Sequence, residues 1–218
     1  MTDYGYRKKK ILKRNERLSK DETWNFWKNT DKESKTDNSP NSYIKGIERS
    51  AYLFTLIEKY LSKKAKILEI GCNVGRNLNY LYEKNFSDLN GIEINEKAIK
   101  LMRKTYPELY KNSHIHIGPT ENLIGKFKTD SFDLIYTMAV LEHIHWDSEF
   151  IFESIKKISS KYIITIEDEF TSWSDRHFPR NYQKVFEDDN WKQIFTTNCS
   201  PIKILDDRFM VRVFKKNN

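Results

Sequence analysis

The stretch Lys66-Ile67-Leu68-Glu69-Ile70-Gly71-Cys72-Asn73-Val74-Gly75-Arg76-Asn77 decides the fold. Ile67, Leu68 and Ile70 make a short apolar strand, and Gly71 and Gly75 punctuate the turn that follows it. Glycine has no Cβ, so such a turn can bend tightly and let a ligand approach the backbone. The helix that starts after the turn aims its first N–H groups at whatever lies over it. One strand later, Gly91-Ile92-Glu93-Ile94-Asn95 puts Glu93 at a strand end, in the position of a ribose-binding acid.

Outward from this segment, strands and helices alternate. Apolar positions at helical spacing over 46–62 predict a helix leading into the first strand, 66–70. Helices are expected near 76–85, 95–105 and 147–158, and strands at 89–94, 114–117, 132–137 and 161–167. Repeats of this size imply an α/β fold with a doubly wound, mainly parallel sheet and helices on both faces. The tail reads differently. A long irregular stretch at 168–185 precedes a short helix expected near 187–195 and two β-like runs at 202–205 and 208–214, close enough to form an antiparallel hairpin.

The charge is unevenly placed. Charged residues make up 32% of the chain and aromatic ones 14%, so a core is attainable under a heavily ionised surface. Residues 1–20 carry eight basic side chains against two acidic ones, leaving the rest near +1 of the net +7. The domain reading is a basic arm, aromatic helix and linker over 1–42, then a ligand-binding domain over 43–218. Residues 7–20 could meet a nucleic acid or an anionic surface, or be a solvated terminus. No apolar run approaches the roughly 20 residues that span a bilayer. With two cysteines and no CxxC or HExxH spacing, the expectation is a cytoplasmic protein without a structural metal.

Residues 69–75 lack the second and third glycines of a dinucleotide-binding GxGxxG turn. The segment resembles motif I of the class I S-adenosylmethionine-dependent methyltransferases, (E/D)xGxGxG, with Asn73 at the middle glycine. The resemblance continues through 91–95 and through FDLIYTMAVLEHI at 132–144. It implies a seven-stranded sheet whose last strand is antiparallel, with S-adenosyl-L-methionine as cofactor. Residue by residue, it implies that Glu69 holds the methionine amino group and that Gly71, Cys72, Asn73 and Gly75 wall the cofactor. Asn77 would reach the carboxylate region, Glu93 the ribose hydroxyls and Ile94 the adenine. Thr120 and Glu121 would lie at the adenine edge. Thr137, Met138 and Ala139 would line the sulfonium side.

For the methyl acceptor the residues leave more open. His143 is the candidate base, with an orienting or packing role as the alternative. Glu167, with Asp168 and Glu169, ends the fifth strand, where such folds place ligands. The segment 173–182 mixes aromatic and bidentate groups. Arg176 and Arg180 suit a carboxylate or phosphate, and His177 and Tyr182 lie beside them. Trp24, Trp27 and Tyr43 precede the core and read as a lid or as packing. The resulting expectation is O- or N-methylation of a small molecule, such as a sugar or surface-polysaccharide precursor. RNA or protein methylation through the basic arm, or a non-catalytic cofactor-binding subunit, are the rivals.

Overall fold

The structure, a computed structural model, describes residues 12–31, 38–172, 174–199, 205 and 207–217. Its strands are β1 (Lys66–Ile70), β2 (Asp88–Glu93), β3 (His114–Ile117), β4 (Phe132–Met138), β5 (Ser159–Asp168), β6 (Trp191–Asn198) and β7 (Phe209–Lys216). They form one seven-stranded sheet in the order β3-β2-β1-β4-β5-β7-β6. The first five pair in parallel, and β7 runs antiparallel to both β5 and β6. Its helices are α1 (Lys20–Asn29), α2 (Ile47–Tyr60), α3 (Arg76–Glu83), α4 (Glu96–Thr105), α5 (Pro107–Lys111), α6 (Thr120–Leu123), α7 (Phe150–Ile158) and α8 (Tyr182–Phe186).

Alternation along the strands splits the apolar residues between two layers. Ile67, Leu134, Tyr136 and Ile164 face the layer built with α2, α3, α4 and α5. Leu68, Ile70, Ile135 and Ile163 face the layer built with α7 and α8. Central strands buried on both faces read as continuous apolar runs, which is why β1 and β4 stand out in the sequence.

The tail departs from the sequence reading. Residues 191–198 are a strand, not part of a helix, and the short helix lies earlier, at α8. The reason is visible in the burial of β6, which alternates from the fully packed Trp191 outward as an edge strand does. The hairpin partner of β7 is therefore β6. Of the run expected at 202–205, only Leu205 falls among the described residues. Residues 7–11 of the basic arm lie outside them.

From Leu12 onward the arm rests on the body. Leu12 N donates to Ser172 O and Leu18 N to Asp175 O. Arg17 donates to the carbonyls of Ser172, Ser174 and His177. Arg14 and Arg17 stack over Trp146 at 5.3 and 5.4 Å. Both terminal nitrogens of Arg17 are thus spent on backbone carbonyls of the protein. Among the described residues, no helix is long and apolar enough to cross a membrane.

Candidate active site

At the carboxyl ends of β1, β2 and β4 the structure opens a cleft of about 1120 Å³, solvent space included. This is the edge at which open α/β sheets place ligands. Its floor is the turn after β1. Gly71 and Gly75 have φ of +72° and +76°, and Asn73 takes +47°, a conformation asparagine tolerates better than most residues. A Cβ added at Gly71 would lie 2.4 Å from Val140 Cγ2, so the turn has room for glycine alone. Gly75 caps α3 and faces Met102 and Leu109 from behind the floor, not the cleft itself.

Two buried acids stand at either end of this floor. Glu93 is 5% exposed and is held by the backbone N–H groups of Asn73 (2.8 Å) and Asn95 (2.7 Å), one to each oxygen. A carboxylate has about four acceptor sites, so acceptor capacity remains for a ligand. Burial raises its pKa, and backbone donors at Asn95, Asn73 and Ile94 oppose the rise. Glu69 Oε1 accepts from Asn77 Nδ2 at 2.8 Å, whereas its buried Oε2 has no partner. Burial pushes the Glu69 carboxyl up to about 8, against the Asn77 hydrogen bond, the nearby Tyr136 hydroxyl and the Arg76 charge.

The walls combine expected and unexpected residues. Cys72, Ile94, Thr120, Glu121, Met138, Ala139, Tyr43 and His143 line the cleft. Ala139 has φ +56°, a strained conformation at the end of β4 that its sequence does not advertise. Sequence reasoning left out Arg49, Arg76 and Val140, which also line it. Arg76 is buried and fixes α2 and the preceding turn, donating to Ser50 Oγ, Lys45 O and Asn77 Oδ1.

The fourth wall is α1. Thr23, Trp24, Trp27 and Thr30 all face the cleft, so the tryptophans read as lid or packing are cleft residues. Trp24 Nε1 donates to Glu121 Oε1 at 3.0 Å. Asn95 Nδ2 donates to Thr30 O at 2.7 Å and to Trp27 O at 3.2 Å, while Asn95 Oδ1 caps α4.

The acceptor-side candidates are divided. His143 meets the Trp27 ring at 4.4 Å and the His177 ring at 4.6 Å. Its Nδ1 lies 2.9 Å from Arg176 O, so the ring proton sits there and Nε2 keeps its lone pair. Desolvation lowers the His143 pKa to about 3 and that of His177 to about 4. Tyr43 keeps its phenol protonated, since burial lifts its pKa to about 12.

Other side chains expected to touch cofactor or substrate are held elsewhere. Glu167 is fully buried, accepting from the N–H groups of Val140 and Glu142, and so fixes the chain after β4. Thr137 is packed behind the cleft wall at 1% exposure. Tyr182 belongs to the core beneath α7, stacked with Phe186. Arg180 is tied to Glu149 and to the carbonyls of Ile144 and Phe178. Arg176 lies over the Phe26 ring at 4.2 Å and also pairs with Asp175. The long side chains among them, Glu167, Arg176, Arg180 and Tyr182, are engaged within the protein.

Three comparisons bear on the family and the fold. Residues 68–161 match the methyltransferase domain family. The mitochondrial ubiquinone biosynthesis O-methyltransferase of Candida albicans is 26% identical over 114 residues, 49% of this chain. The match spans about a third of that enzyme, 34% of its length. Among solved structures, Haemonchus contortus phosphoethanolamine N-methyltransferase 1, in complex with phosphoethanolamine and S-adenosylhomocysteine, superposes with a TM-score of 0.67 at 16% identity. That superposition covers 90% of this chain and 48% of the other. The PH0226 protein of Pyrococcus horikoshii OT3 gives 0.63 at 15% identity, covering 92% of this chain and all of the other.

Proposed function

We propose that this chain, which carries the domain and fold of the class I S-adenosylmethionine-dependent methyltransferases, methylates an oxygen or nitrogen of a small molecule. The observation that carries the reading is the pair Glu69 and Glu93 on either side of the β1 turn. The partnerless Glu69 Oε2 suits an ammonium group. The open acceptor sites of Glu93 suit two ribose hydroxyls. S-Adenosylmethionine brings both, together with a methyl group on a sulfonium that leaves as a neutral thioether.

The chain's own residues then have separate tasks. Arg49 and Asn77 lie on the Glu69 side, where the ligand carboxylate belongs. Ile94, Thr120 and Glu121, with Trp24 above them, enclose the adenine side. Methyl transfer is an in-line displacement, so the protein's main contribution is alignment and exclusion of water. Tyr43, Met138 and His143 form the wall toward the acceptor, where the bare Nε2 of His143 can take a hydrogen bond from an acceptor hydroxyl or amine. The cover formed by α1 supports a small acceptor, with a sugar unit of a surface polysaccharide precursor as the first class to screen. The O-methyltransferase and N-methyltransferase relatives leave both acceptor atoms in play.

Calorimetric titration tests the reading. S-Adenosylhomocysteine is expected to bind the wild-type protein and to bind Glu93→Ala on the order of 10- to 100-fold more weakly, the loss of hydrogen bonds to a charged acceptor. No binding to wild type, or unchanged affinity in Glu93→Ala, overturns it. Methyl transfer from labelled cofactor into a panel of sugar nucleotides then identifies the acceptor.

A further inference from the structure

We propose that Glu142, His143 and His177 form a site for one divalent transition-metal ion, zinc in the first instance. Their candidate ligand atoms lie within 4.8 Å of one another. His143 Nε2 and Glu142 Oε1 are 3.6 Å apart. Ligands of a filled tetrahedral zinc site, with bonds of about 2.0–2.2 Å, stand about 3.3 Å apart, so the set closes with small adjustments.

Three further observations point to a cation. His143 donates its Nδ1 proton to Arg176 O, the backbone support that orients a ligating imidazole and leaves Nε2 bare. Glu142, 3% exposed at its side chain, is held in turn, with Oε2 accepting from Asp168 N. His177 Nδ1 is buried with no hydrogen-bond partner. The loop carrying His177 is fixed by Arg17, which donates to the Ser172, Ser174 and His177 carbonyls.

Two imidazoles and one carboxylate favour zinc or its first-row neighbours over magnesium or calcium. Three protein ligands also leave a fourth position open, as sites that act on a ligand do. Through His143 that position adjoins the cleft wall. Zinc lowers the pKa of a bound hydroxyl toward 7. An acceptor hydroxyl bound there would lose its proton more readily than in water, with His143 Nε2 then holding the metal in place of the acceptor's hydrogen bond. This use of the metal rests on the methyl-transfer reading; the site does not.

The full-length protein, stripped with a chelator, is titrated with zinc against a chromophoric competitor and, separately, with cobalt(II). Affinity for S-adenosylhomocysteine is measured on the same samples. One equivalent of zinc is expected for wild type, weakened at least tenfold in His177→Gln and in Glu142→Gln. His177→Cys is expected to retain cobalt and to add a thiolate-to-cobalt charge-transfer band, which no structural role for position 177 would produce. Equal zinc affinity in wild type and both loss variants overturns the site, as does binding that tracks His114 and His116 instead. Zinc binding as expected without S-adenosylhomocysteine binding keeps the site and removes the methyl-transfer reading. The reverse result removes the site alone.

Discussion

Glu69 is the residue whose environment makes the sharpest statement. Its ordinary carboxyl value is 4.5, and burial lifts it to about 8. Between those values the folded protein holds a proton that the unfolded chain has released, so the stability associated with Glu69 is complete below about pH 4.5 and falls as pH rises toward 8. Glu69→Gln is neutral at every pH and is expected to flatten that part of the pH–stability curve measured by denaturant unfolding. An ammonium against Glu69 favours the charged form. Binding of S-adenosylhomocysteine at pH 7 is therefore expected to release close to one proton in wild type and none from this site in Glu69→Gln, read by calorimetry in buffers of different ionisation enthalpy. Gly71 makes the steric case beside it. Gly71→Ala must adopt φ +72° and force Val140 aside, which is expected to cost about 1–3 kcal/mol of stability and to weaken cofactor binding.

At the level of elements, Asn95 ties the C-terminal end of α1 to the cleft. Asn95 caps α4 with its oxygen and grips the end of α1 with its nitrogen. Asn95→Ala is expected to lower stability by about 1–2 kcal/mol, the usual range for a lost N-cap, and to speed amide exchange across α1 in particular. A variant with unchanged exchange there would show that α1 holds its place without Asn95. The same elements show what a reader of the sequence could and could not see. β1 and β4 were legible because buried central strands read as apolar runs, and Glu69 and Glu93 because each is an acid at or beside the carboxyl end of a strand. β6 was misread as helix because an edge strand buries only one face, so its Trp191 to Asn198 pattern is half polar. The place of Trp24 and Trp27 in the cleft depends on contacts with residues some 68 to 97 positions away, which no local pattern records. Arg176, Arg180 and Tyr182 have the right chemistry for a ligand, but internal carbonyls, acids and rings claim them first. The Glu142, His143 and His177 cluster joins two loops, so no ligand spacing announced it.

For the whole molecule, the critical joint is where the parallel part of the sheet meets the β6–β7 hairpin. Arg212 on β7 meets both oxygens of Glu169, just past β5, at 2.6 and 2.9 Å, and also reaches Gln193 on β6. Both ion-pair side chains are almost fully buried. Arg212→Ala strands a buried carboxylate and is expected to cost about 3–5 kcal/mol in equilibrium unfolding, while Arg208→Ala, a more exposed neighbour, should cost far less. The hairpin thereby secures the loop that follows β5, which in turn carries Arg17 and the start of α1. That chain of attachments has a temporal consequence. The helix that walls the cleft is fastened at both ends, by Asn95 on one side and the 172–177 loop on the other. On the methyl-transfer reading, spent cofactor leaves past α1 once one fastening parts, so its residence time follows the faster of the two partings, and turnover should respond to solvent viscosity and to the Asn95 substitution before it responds to the reactivity of the acceptor.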